Sequence, residues 1–397
     1  MTSRIYYTDP SCRTFDAVVH RAFEYDGHPA VTLDRTAFYP SSGGQPFDIG
    51  RLGASGVVDA VDADGDIVHV LSAGLTVGVA VTGEIDWARR FDHMQQHTGQ
   101  HLLSAAFDRL FDNRTVGFHM GADVSTIDLA REAAPTDVER AVDEANRIVW
   151  EDRPVLIRLV SKTEASNLSL RKESGREGTL RLIEVSDFDL SACGGTHVER
   201  TGAIGVIAAL STERLRGGAR LTFVCGARAL RALRTFRNAV DGSVRTLSVV
   251  ADDLPAAVER VQAESKDLGK QIKGLREKLA AHEGAALAAD APQVGGVRLV
   301  VRAIDGWDAA GLKALAVAAT AGGGACVVLV SPVPPVSLVV ACSAGAPVDA
   351  NAVLQQLTSR FGGRGGGKRA LAQGGGLTAP VADIVSAARA LIESALQ

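Results

Sequence analysis

Aromatic residues and disulfide-forming cysteines are scarce in this sequence of 397 residues. Phe, Trp and Tyr make up only 5% of the chain, so its hydrophobic cores must be built mainly from Val, Leu, Ile and Ala. The cysteines, at positions 12, 193, 225, 326 and 342, are odd in number and follow no disulfide spacing. This usage favours a reducing compartment, and we therefore expect a cytoplasmic protein.

Long apolar runs and an excess of positive charge are also absent. No stretch of about 18 apolar residues can span a bilayer, and the first residues carry no signal peptide, so we expect no membrane partner. The formal net charge is -4, which does not indicate a nucleic-acid partner. If the chain binds RNA, local basic patches must do so.

The order of helix and strand patterns predicts an α+β protein of several segments, and the length allows two or three domains. Residues 1–88 alternate short apolar runs with turn signals, which predicts a small β-rich N-terminal domain. Residues 89–240 begin with a helix near 91–107 and continue with strand-like runs such as 202–210, which is typical of an α+β domain. Residues 296–397 predict an α/β C-terminal domain. Its helices are expected at 306–320, 349–361 and 380–396.

Residues 250–290 predict a helical connector. An apolar position recurs there at a heptad-like spacing, at Val261, Leu268, Ile272, Leu275 and Leu279. This spacing favours a helical hairpin or short coiled coil, through which two chains can oligomerise. An amphipathic helix packed on its own domain explains the spacing almost as well.

Two pairs of metal-binding side chains lie almost a hundred residues apart. His97 and His101 are four residues apart in the predicted helix, which places both imidazoles on one face. Cys193 and His197 flank a Gly-Gly pair that lets the backbone fold tightly, so that both side chains face one point. Zinc prefers nitrogen and sulfur donors, so we predict that these four residues bind Zn²⁺. His93, one helical turn earlier, is either a further ligand or a residue that supports the ligands, and the supporting role is favoured because four better candidates exist.

The residues around the first pair argue against a zinc metalloprotease, which needs Glu directly after the first His as its general base. Thr98 occupies that position, and Gln100 cannot take up a proton. Four protein ligands complete a tetrahedral zinc, as in structural sites, whereas catalytic zinc usually keeps a position for water. A catalytic and a structural ion both remain open at this point.

Four segments of the chain resemble one known family. His97–Leu103 and Cys193–His197 are similar to the paired zinc motifs of the editing domain of alanyl-tRNA synthetase and of its free-standing relatives, the AlaX proteins. Asp34–Gln45 resembles the glycine-rich segment that borders the editing pocket of that family. Gly362–Lys368, followed by Ala372–Gly376, resembles the C-terminal domain of alanyl-tRNA synthetase. Because the four motifs occur in the same order and cover most of the chain, the sequence resembles a long-form AlaX protein.

The resemblance implies a function in translation fidelity. It implies hydrolysis of Ser-tRNA(Ala), with Gly-tRNA(Ala) as a second candidate, so the expected partner is the acceptor end of tRNA(Ala) carrying serine or glycine. It makes 89–240 a zinc-containing editing (deacylase) domain and 296–397 an alanyl-tRNA-synthetase-like domain. Because the chain begins almost directly at the editing module, we do not expect it to charge tRNA.

Selection of serine needs a polar group in the amino-acid pocket. The family uses a threonine to recognise serine, and Thr32 and Thr36 are the candidates here. Gln45, from the Gly-Gly-Gln run, is predicted to line the pocket and to take a catalytic role. The alternative for Gln45 is a turn residue after two flexible glycines.

Contacts to tRNA phosphates are predicted for three basic stretches, although a solvated charged face is an equal alternative for any single residue. The predicted contacts are Arg171, Lys172, Arg214, Arg216, Arg364 and Lys368, with Arg176, Arg181, Arg220 and Arg369 in the same stretches. The segment Gly362–Lys368 also matches most of a nucleotide-binding P-loop. That motif then needs Ser or Thr where Arg369 stands, so an ATPase is not predicted.

Two other functions remain open from the sequence. One is a non-catalytic tRNA-binding module with a structural zinc, and the other is a zinc hydrolase that acts on a different aminoacyl ester. For the editing enzyme itself, the sequence also leaves two roles for the ion. It can activate the attacking water, or it can hold the substrate while a ribose hydroxyl assists.

Overall fold

The computed structural model describes residues 1–63, 65–172 and 178–397, so the predicted tRNA contact Arg176 lies outside the described residues. The chain forms two compact units, Met1–Ser243 and Val244–Gln397. Helices and strands are mixed throughout, as the sequence predicts. The predicted segments subdivide these two units and stay predictions.

The first unit begins with a closed antiparallel barrel of six strands in the order β2-β3-β7-β6-β5-β8. Alternate residues of its strands, such as Phe15, Ala17 and Val19, point into one apolar core, as expected for a small barrel. A short parallel pair, β1 with β4, lies beside it. The strands are β1 (Ser3–Arg4), β2 (Thr14–Tyr25), β3 (His28–Leu33), β4 (Arg35–Thr36), β5 (Gly50–Leu52), β6 (Ser55–Ala63), β7 (Asp66–Leu71) and β8 (Ala80–Ile85).

The rest of the first unit packs two long helices against two antiparallel sheets, ordered β14-β15-β10-β9 and β11-β12-β13. The middle of α1 is buried in the core of this part. The elements are α1 (Trp87–Phe111), β9 (Thr115–Met120), β10 (Ser125–Leu129), α2 (Pro135–Trp150), β11 (Val155–Ser161), α3 (Lys162–Ala165), β12 (Thr179–Val185), β13 (Asp189–Ala192), β14 (Ile207–Leu215) and β15 (Gly218–Cys225).

One predicted strand starts later than expected. The segment 202–210 was predicted as a strand, but Thr201–Ile204 forms a 3-10 turn and β14 begins only at Ile207. Gly205 has a φ of 84°, a left-handed conformation that ends the turn and cannot continue a strand.

A buried ion pair joins the barrel to α1. Arg90, in the first turns of α1, is fully buried and pairs with Asp48, which is also fully buried. Its Nε lies 3.0 Å from Asp48 Oδ2, and its Nη1 donates to the carbonyl of Pro10 at 2.8 Å. Asp48 also accepts from the backbone N–H of Tyr39 at 2.7 Å. Because a buried pair is costly to break, this contact fixes the glycine-rich segment of the barrel relative to the helix.

The second unit is a six-stranded sheet, ordered β16-β17-β18-β19-β21-β20, with helices on both faces. Alternate residues of β18 serve the two faces, because Val328 packs toward α7 and α8 whereas Val327 packs toward α5 and α6. The helix α4 (Ala227–Leu247), which the sequence did not predict, contains the boundary between the two units. The remaining elements are α5 (Leu254–Ala289), β16 (Gln293–Val294), β17 (Val297–Ala303), α6 (Ala309–Thr320), β18 (Ala325–Val330), β19 (Val336–Cys342), α7 (Ala350–Phe361), β20 (Arg364–Lys368), β21 (Leu371–Leu377) and α8 (Val381–Leu396).

The glycine-rich segment of the second unit forms strand β20, which pairs antiparallel with β21. A P-loop would connect a strand to a helix, so the structure also argues against a nucleotide-binding loop. All five residues of β20 are exposed.

The apolar seam predicted in the connector lies on α5 but is not the face by which that helix packs. The seam residues Leu268, Ile272 and Leu275 are 54–65% exposed. Small residues near the end of α5, such as Ala280 and Ala288, pack against α6 instead. Oligomerisation through the exposed seam stays a prediction. Among the residues that the structure describes, no helix combines the length and the apolarity needed to cross a membrane.

Candidate metal centre

Two elements carry the four predicted metal ligands. His97 and His101 lie one turn apart in the buried middle of α1. Cys193 directly follows β13, and His197 lies four residues further along the same loop. The structure brings all four side chains together, with their ligand atoms within 4.8 Å of one another.

The distances in this cluster fit a tetrahedral ion. Cys193 Sγ lies 3.4 Å from His97 Nε2 and 3.3 Å from His197 Nε2. Zinc bonds of about 2.0 Å to nitrogen and 2.3 Å to sulfur would set these atoms about 3.5 Å apart. Three imidazoles and one thiol are a donor set that zinc accepts. The cluster can therefore hold a divalent metal ion of this kind.

Hydrogen bonds orient the two imidazoles of α1. His97 Nδ1 lies 2.8 Å from Gln45 Oε1, and His101 Nδ1 lies 2.8 Å from Asp189 Oδ2. An amide oxygen and an ionised carboxylate can only accept, so each Nδ1 carries the proton. Each Nε2 is then left with a free lone pair directed into the cluster, which is the state that binds a metal.

The third imidazole is held in the same tautomer. His197 Nδ1 lies 3.2 Å from Thr98 Oγ1, and that hydroxyl donates its only proton to the carbonyl of Met94 at 2.8 Å. The hydroxyl must therefore accept from His197. All three Nε2 atoms of the cluster are thus available to one ion.

Gln45 forms hydrogen bonds with the ligand His97 and with the loop between Cys193 and His197. Its Oε1 accepts from His97 and from the backbone N–H of Thr196 at 3.1 Å, and its Nε2 donates to Thr196 Oγ1 at 2.9 Å. The side chain is 2% exposed and is not among the residues that line the neighbouring cavity. Its amide is instead bound to His97 and Thr196. The pocket-lining and catalytic roles of Gln45 stay predictions.

Asp189 is a site residue that the sequence analysis missed. It is fully buried, and besides His101 it binds Arg171, whose Nε lies 2.6 Å from Oδ1. Ser191 Oγ donates to the same carboxylate at 3.0 Å. Burial alone would raise the pKa of Asp189, but His101 and Arg171 outweigh it and hold the pKa well below its usual range. Asp189 is thus an anion that orients one metal ligand.

The charge state of each ligand depends on its burial and on the side chains next to it. Burial disfavours the thiolate of Cys193, but the neighbouring His97 and His197 outweigh it and hold the pKa of the thiol well below its ordinary value. Burial lowers the pKa of His197 to about 3. Burial also opposes the charge on His101, but Asp189 outweighs it and raises that pKa. A thiolate beside a neutral imidazole is a suitable metal-binding pair.

Gly195 is required in the loop for a reason other than the one predicted. Neither Gly194 nor Gly195 has a left-handed φ, so the turn itself does not demand glycine. A Cβ on Gly195, however, would lie 2.1 Å from Cε1 of His97 and 2.4 Å from its Nδ1. The backbone passes so close to this imidazole that no other residue fits.

A cavity of about 670 Å³ opens beside the cluster, within the first unit. His97, His101 and Cys193 line it, whereas His197 lies behind them. Its volume is in the range of about 300–1,000 Å³ typical of small-molecule sites. Basic side chains outnumber acidic ones in its wall. The basic residues are Arg4, Arg114, Arg171, Lys172 and Arg181, and the acidic ones are Asp62 and Asp108.

The predicted tRNA contacts are divided between the cavity and other surfaces. Arg171 and Lys172 line the cavity, although Arg171 is bound to Asp189. Arg214 and Arg216 lie at the end of the β14–β15 hairpin, outside the cavity wall, and Arg214 pairs with Glu132 at 2.7 Å. The contacts predicted for the second unit, Arg364 and Lys368, are exposed at the two ends of β20.

The threonines predicted to select serine lie away from this cavity. Thr32 and Thr36 are buried in or next to the barrel, and neither lines the cavity. Thr36 Oγ1 lies 2.8 Å from His69 Nε2.

His93, predicted as a structural residue, is buried in α1, one turn before His97. Burial lowers the pKa of His93 to about 4.

Comparisons with known proteins agree on one group of relatives. The family described as the threonyl and alanyl tRNA synthetase second additional domain matches residues 180–220, which contain Cys193 and His197. An alanine–tRNA ligase of Halorubrum lacusprofundi is 36% identical over 96% of this chain, and one of Methanosarcina mazei is 33% identical over 94%. The chain spans only 43% and 42% of the lengths of these two ligases.

A further relative is matched over most of its own length. The alanyl-tRNA editing protein AlaX-L of Pyrococcus horikoshii is 31% identical, and the match covers 94% of this chain and 94% of that protein. Among solved structures, the C-Ala domain of Aquifex aeolicus alanyl-tRNA synthetase is 24% identical and covers 27% of this chain and 97% of that domain, with a TM-score of 0.24.

Proposed function

Because this chain belongs to the family of alanyl-tRNA editing proteins of the AlaX type, we propose that it is an aminoacyl-tRNA deacylase that acts on mischarged tRNA(Ala). The substrate is proposed to be Ser-tRNA(Ala), with Gly-tRNA(Ala) as the second candidate. The observation that carries the proposal is a cavity of about 670 Å³ lined by three of four clustered metal-binding side chains. A structural zinc site would not need such an opening beside its ligands.

The metal is proposed to be zinc, held by His97, His101, Cys193 and His197. When bound, zinc supplies a positive charge that attracts electron density from an oxygen of the scissile ester. The neighbouring side chains keep the ligands in position. Gln45, Asp189 and Thr98 each hold one imidazole with its proton on Nδ1.

The side chains of the cavity wall are suited to an RNA substrate. The ester to be hydrolysed joins an amino acid to the ribose of a terminal adenosine, so the site must receive a nucleotide together with its amino acid. Basic side chains predominate in the wall, which suits the negative charge of an RNA end. Lys172 is an exposed member of this set, and we propose it as a tRNA contact. Arg171 is proposed to act through Asp189, to which its guanidinium is already bound.

Contacts outside the cavity are proposed for the rest of the tRNA. Arg214 and Arg216 are exposed, as are Arg364 and Lys368 of β20. Exposed cations of this kind can hold phosphates without reading sequence. Oligomerisation through the exposed apolar seam of α5 is a separate proposal, which sedimentation at several protein concentrations can test.

Deacylation of a panel of charged tRNAs tests the proposed function. Ser-tRNA(Ala), Gly-tRNA(Ala) and Ala-tRNA(Ala) are incubated with the wild-type protein, the His101→Ala variant and a matched His20→Ala variant. His20 is an exposed barrel residue outside the cavity, so its loss should change nothing. We expect hydrolysis of the serine ester but not of the alanine ester, and loss of zinc and of hydrolysis in His101→Ala with the fold retained by circular dichroism.

Two results would reject a deacylase of mischarged tRNA(Ala), and a third would bear on the role of the zinc. If wild-type protein binds tRNA and zinc but hydrolyses none of the three esters, a non-catalytic tRNA-binding module is correct. If an unrelated aminoacyl-tRNA, added to the same panel, is hydrolysed better than Ser-tRNA(Ala), the chain is a hydrolase for another ester. Unfolding of His101→Ala without any wild-type activity would mark the zinc as structural.

A further inference from the structure

Arg181 is a buried cation in the cavity wall that no carboxylate of the described residues neutralises. The residue is 8% exposed, and no described Asp or Glu lies within 4.0 Å of its guanidinium. By contrast, Arg4 pairs with Asp62 at 2.9 Å and Arg171 pairs with Asp189 at 2.6 Å. The thiolate of Cys193 is the neighbouring group that most favours this charge. A buried guanidinium without a carboxylate partner is still costly, so its presence in a cavity wall indicates that a ligand adds negative charge.

The hydrogen bonds of Arg181 leave one of its nitrogen atoms unused. Nε donates to the carbonyl of Tyr7 at 2.9 Å, and Nη1 donates to the carbonyls of Cys193 and Gly195 at 2.8 and 2.9 Å. Among the described residues, Nη2 has no partner. Nη1 thus holds the metal-binding loop and Nε holds the backbone at Tyr7, and the third nitrogen is left for a ligand.

Tyr6 supplies a second unused donor in the same wall. It is 1% exposed, and its hydroxyl makes no hydrogen bond with the residues that the structure describes. Burial raises the pKa of this phenol, so it keeps its proton. Buried polar groups in folded proteins are nearly always satisfied. Two unsatisfied donors in one cavity therefore indicate a ligand that offers acceptor oxygens.

Resting on the proposed function, we propose that Arg181 and Tyr6 bind the phosphate group on the 5′ side of the terminal adenosine. The amino acid of the substrate has its carboxylate tied up in the ester and carries a positive amino group. The phosphodiester is therefore the anion nearest to the reacting bond. It offers the oxygen acceptors that a guanidinium and a phenol require. The same arginine that holds the metal-binding loop would then position the nucleotide beside it.

Binding of AMP and adenosine tests the subsite without any chemistry. The two ligands differ only in the phosphate, and equilibrium dialysis against the zinc-loaded protein measures both. We expect wild-type protein to bind AMP about 10- to 100-fold more tightly than adenosine, the factor of a charged hydrogen bond. In Arg181→Gln this preference should fall below about threefold. In Tyr6→Phe, which leaves the loop contacts intact, it should fall by about three- to tenfold.

The preference ratio separates ligand binding from loop support. Damage to the Cys193 loop in Arg181→Gln would weaken binding of both ligands alike and leave the ratio unchanged, and that result would overturn the subsite. Arg114→Gln is the matched control, because Arg114 lines the same cavity but is 79% exposed. An equal loss of AMP preference in Arg114→Gln would show that general positive charge, and not a defined subsite, binds the phosphate.

Failure of the subsite and failure of the proposed function give different results. Equal binding of AMP and adenosine, with Ser-tRNA(Ala) still hydrolysed, rejects the subsite alone. A clear AMP preference that depends on Arg181, without hydrolysis of any aminoacyl-tRNA, supports a nucleotide site and rejects the deacylase. A parallel measurement with seryl-adenosine and its 5′-phosphate should show the same Arg181-dependent ratio in kcat/KM.

Discussion

Glycine-rich segments occur in both units, and the structure uses glycine in two different ways. In the first unit, Gly195 lets buried backbone pass against the imidazole of His97. In the second unit, the glycines of β20 lie on an exposed strand, where Gly366 has no atom within 4 Å of its position for a Cβ. Gly195 is therefore required by a close contact in a buried site, whereas Gly366 lies open on a surface between basic side chains.

Replacement of Gly195 and of Gly366 by alanine should give the largest difference in zinc affinity between two variants. Gly195→Ala places a methyl group 2.1 Å from His97 Cε1, so the imidazole must leave the cluster. We expect at least a 100-fold loss of zinc affinity, on the order of what the loss of one ligand or its support causes. Gly366→Ala should leave both zinc affinity and stability within about 0.5 kcal/mol of wild type. Competition with a chelator measures the affinity, and similar affinities in both variants would remove the distinction.

The second-largest effect on zinc affinity is expected at Asp189, the anion that holds His101. Asp189→Asn keeps the size of the side chain but removes the charge that His101 and Arg171 share, so zinc affinity should fall about 10- to 100-fold. Ser191→Ala removes only a hydroxyl from the same carboxylate and should cost less than Asp189→Asn. The absorption spectrum of a cobalt-substituted protein should shift in Asp189→Asn. Unchanged affinity together with an unchanged spectrum would mean that Asp189 does not act on the metal.

Local sequence patterns predicted the spacing of the first ligand pair and several helices. They did not predict contacts between residues that are far apart in the sequence. The spacing of His97 and His101 is set within one helix, and the last two predicted helices, 349–361 and 380–396, lie within one residue of α7 and α8. Apolar periodicity and turn signals encode such features locally.

The contact of His101 with Asp189, in contrast, joins residues 88 positions apart through a strand and a helix. No local pattern marks Asp189. The same is true of Gln45, whose Gly-Gly-Gln motif indicated importance but not that its amide is bound to His97 and Thr196. Which residue touches the cavity depends on packing that only the three-dimensional structure reveals.

Acid should affect the first unit more than the second. Burial lowers the pKa values of His69 and His93 to about 4, whereas His282 of the second unit is exposed. The unfolded chain takes up these protons near pH 6.5, before the folded unit does, so stability falls as the pH drops from about 6.5 to about 4. The loss for each buried histidine is at most about 1.4 kcal/mol per pH unit.

Segment-resolved hydrogen exchange of the zinc-free protein at pH 7 and pH 5 measures this difference between the units. His69→Gln should lessen the pH dependence of the barrel segments, and His20→Gln should not, because His20 is exposed. Equal loss of protection in both units would show that the buried histidines are not responsible.

The smallest effect is expected at the exposed hairpin. Lys368 lies at the end of β20, and if it holds a tRNA phosphate, Lys368→Ala should weaken tRNA binding about threefold and reduce the salt dependence by about one counterion. Hydrolysis of seryl-adenosine, which lacks the rest of the tRNA, should not change. Lys313→Ala is the matched control, since Lys313 is an exposed lysine of α6 in the same unit. If both lysine variants bind tRNA equally well at every salt concentration, the glycine-rich strand contributes no phosphate contact. Its exposed glycines would then serve only the close pairing of β20 with β21, where a Cβ on Gly367 would meet the carbonyl of Leu371 at 2.3 Å.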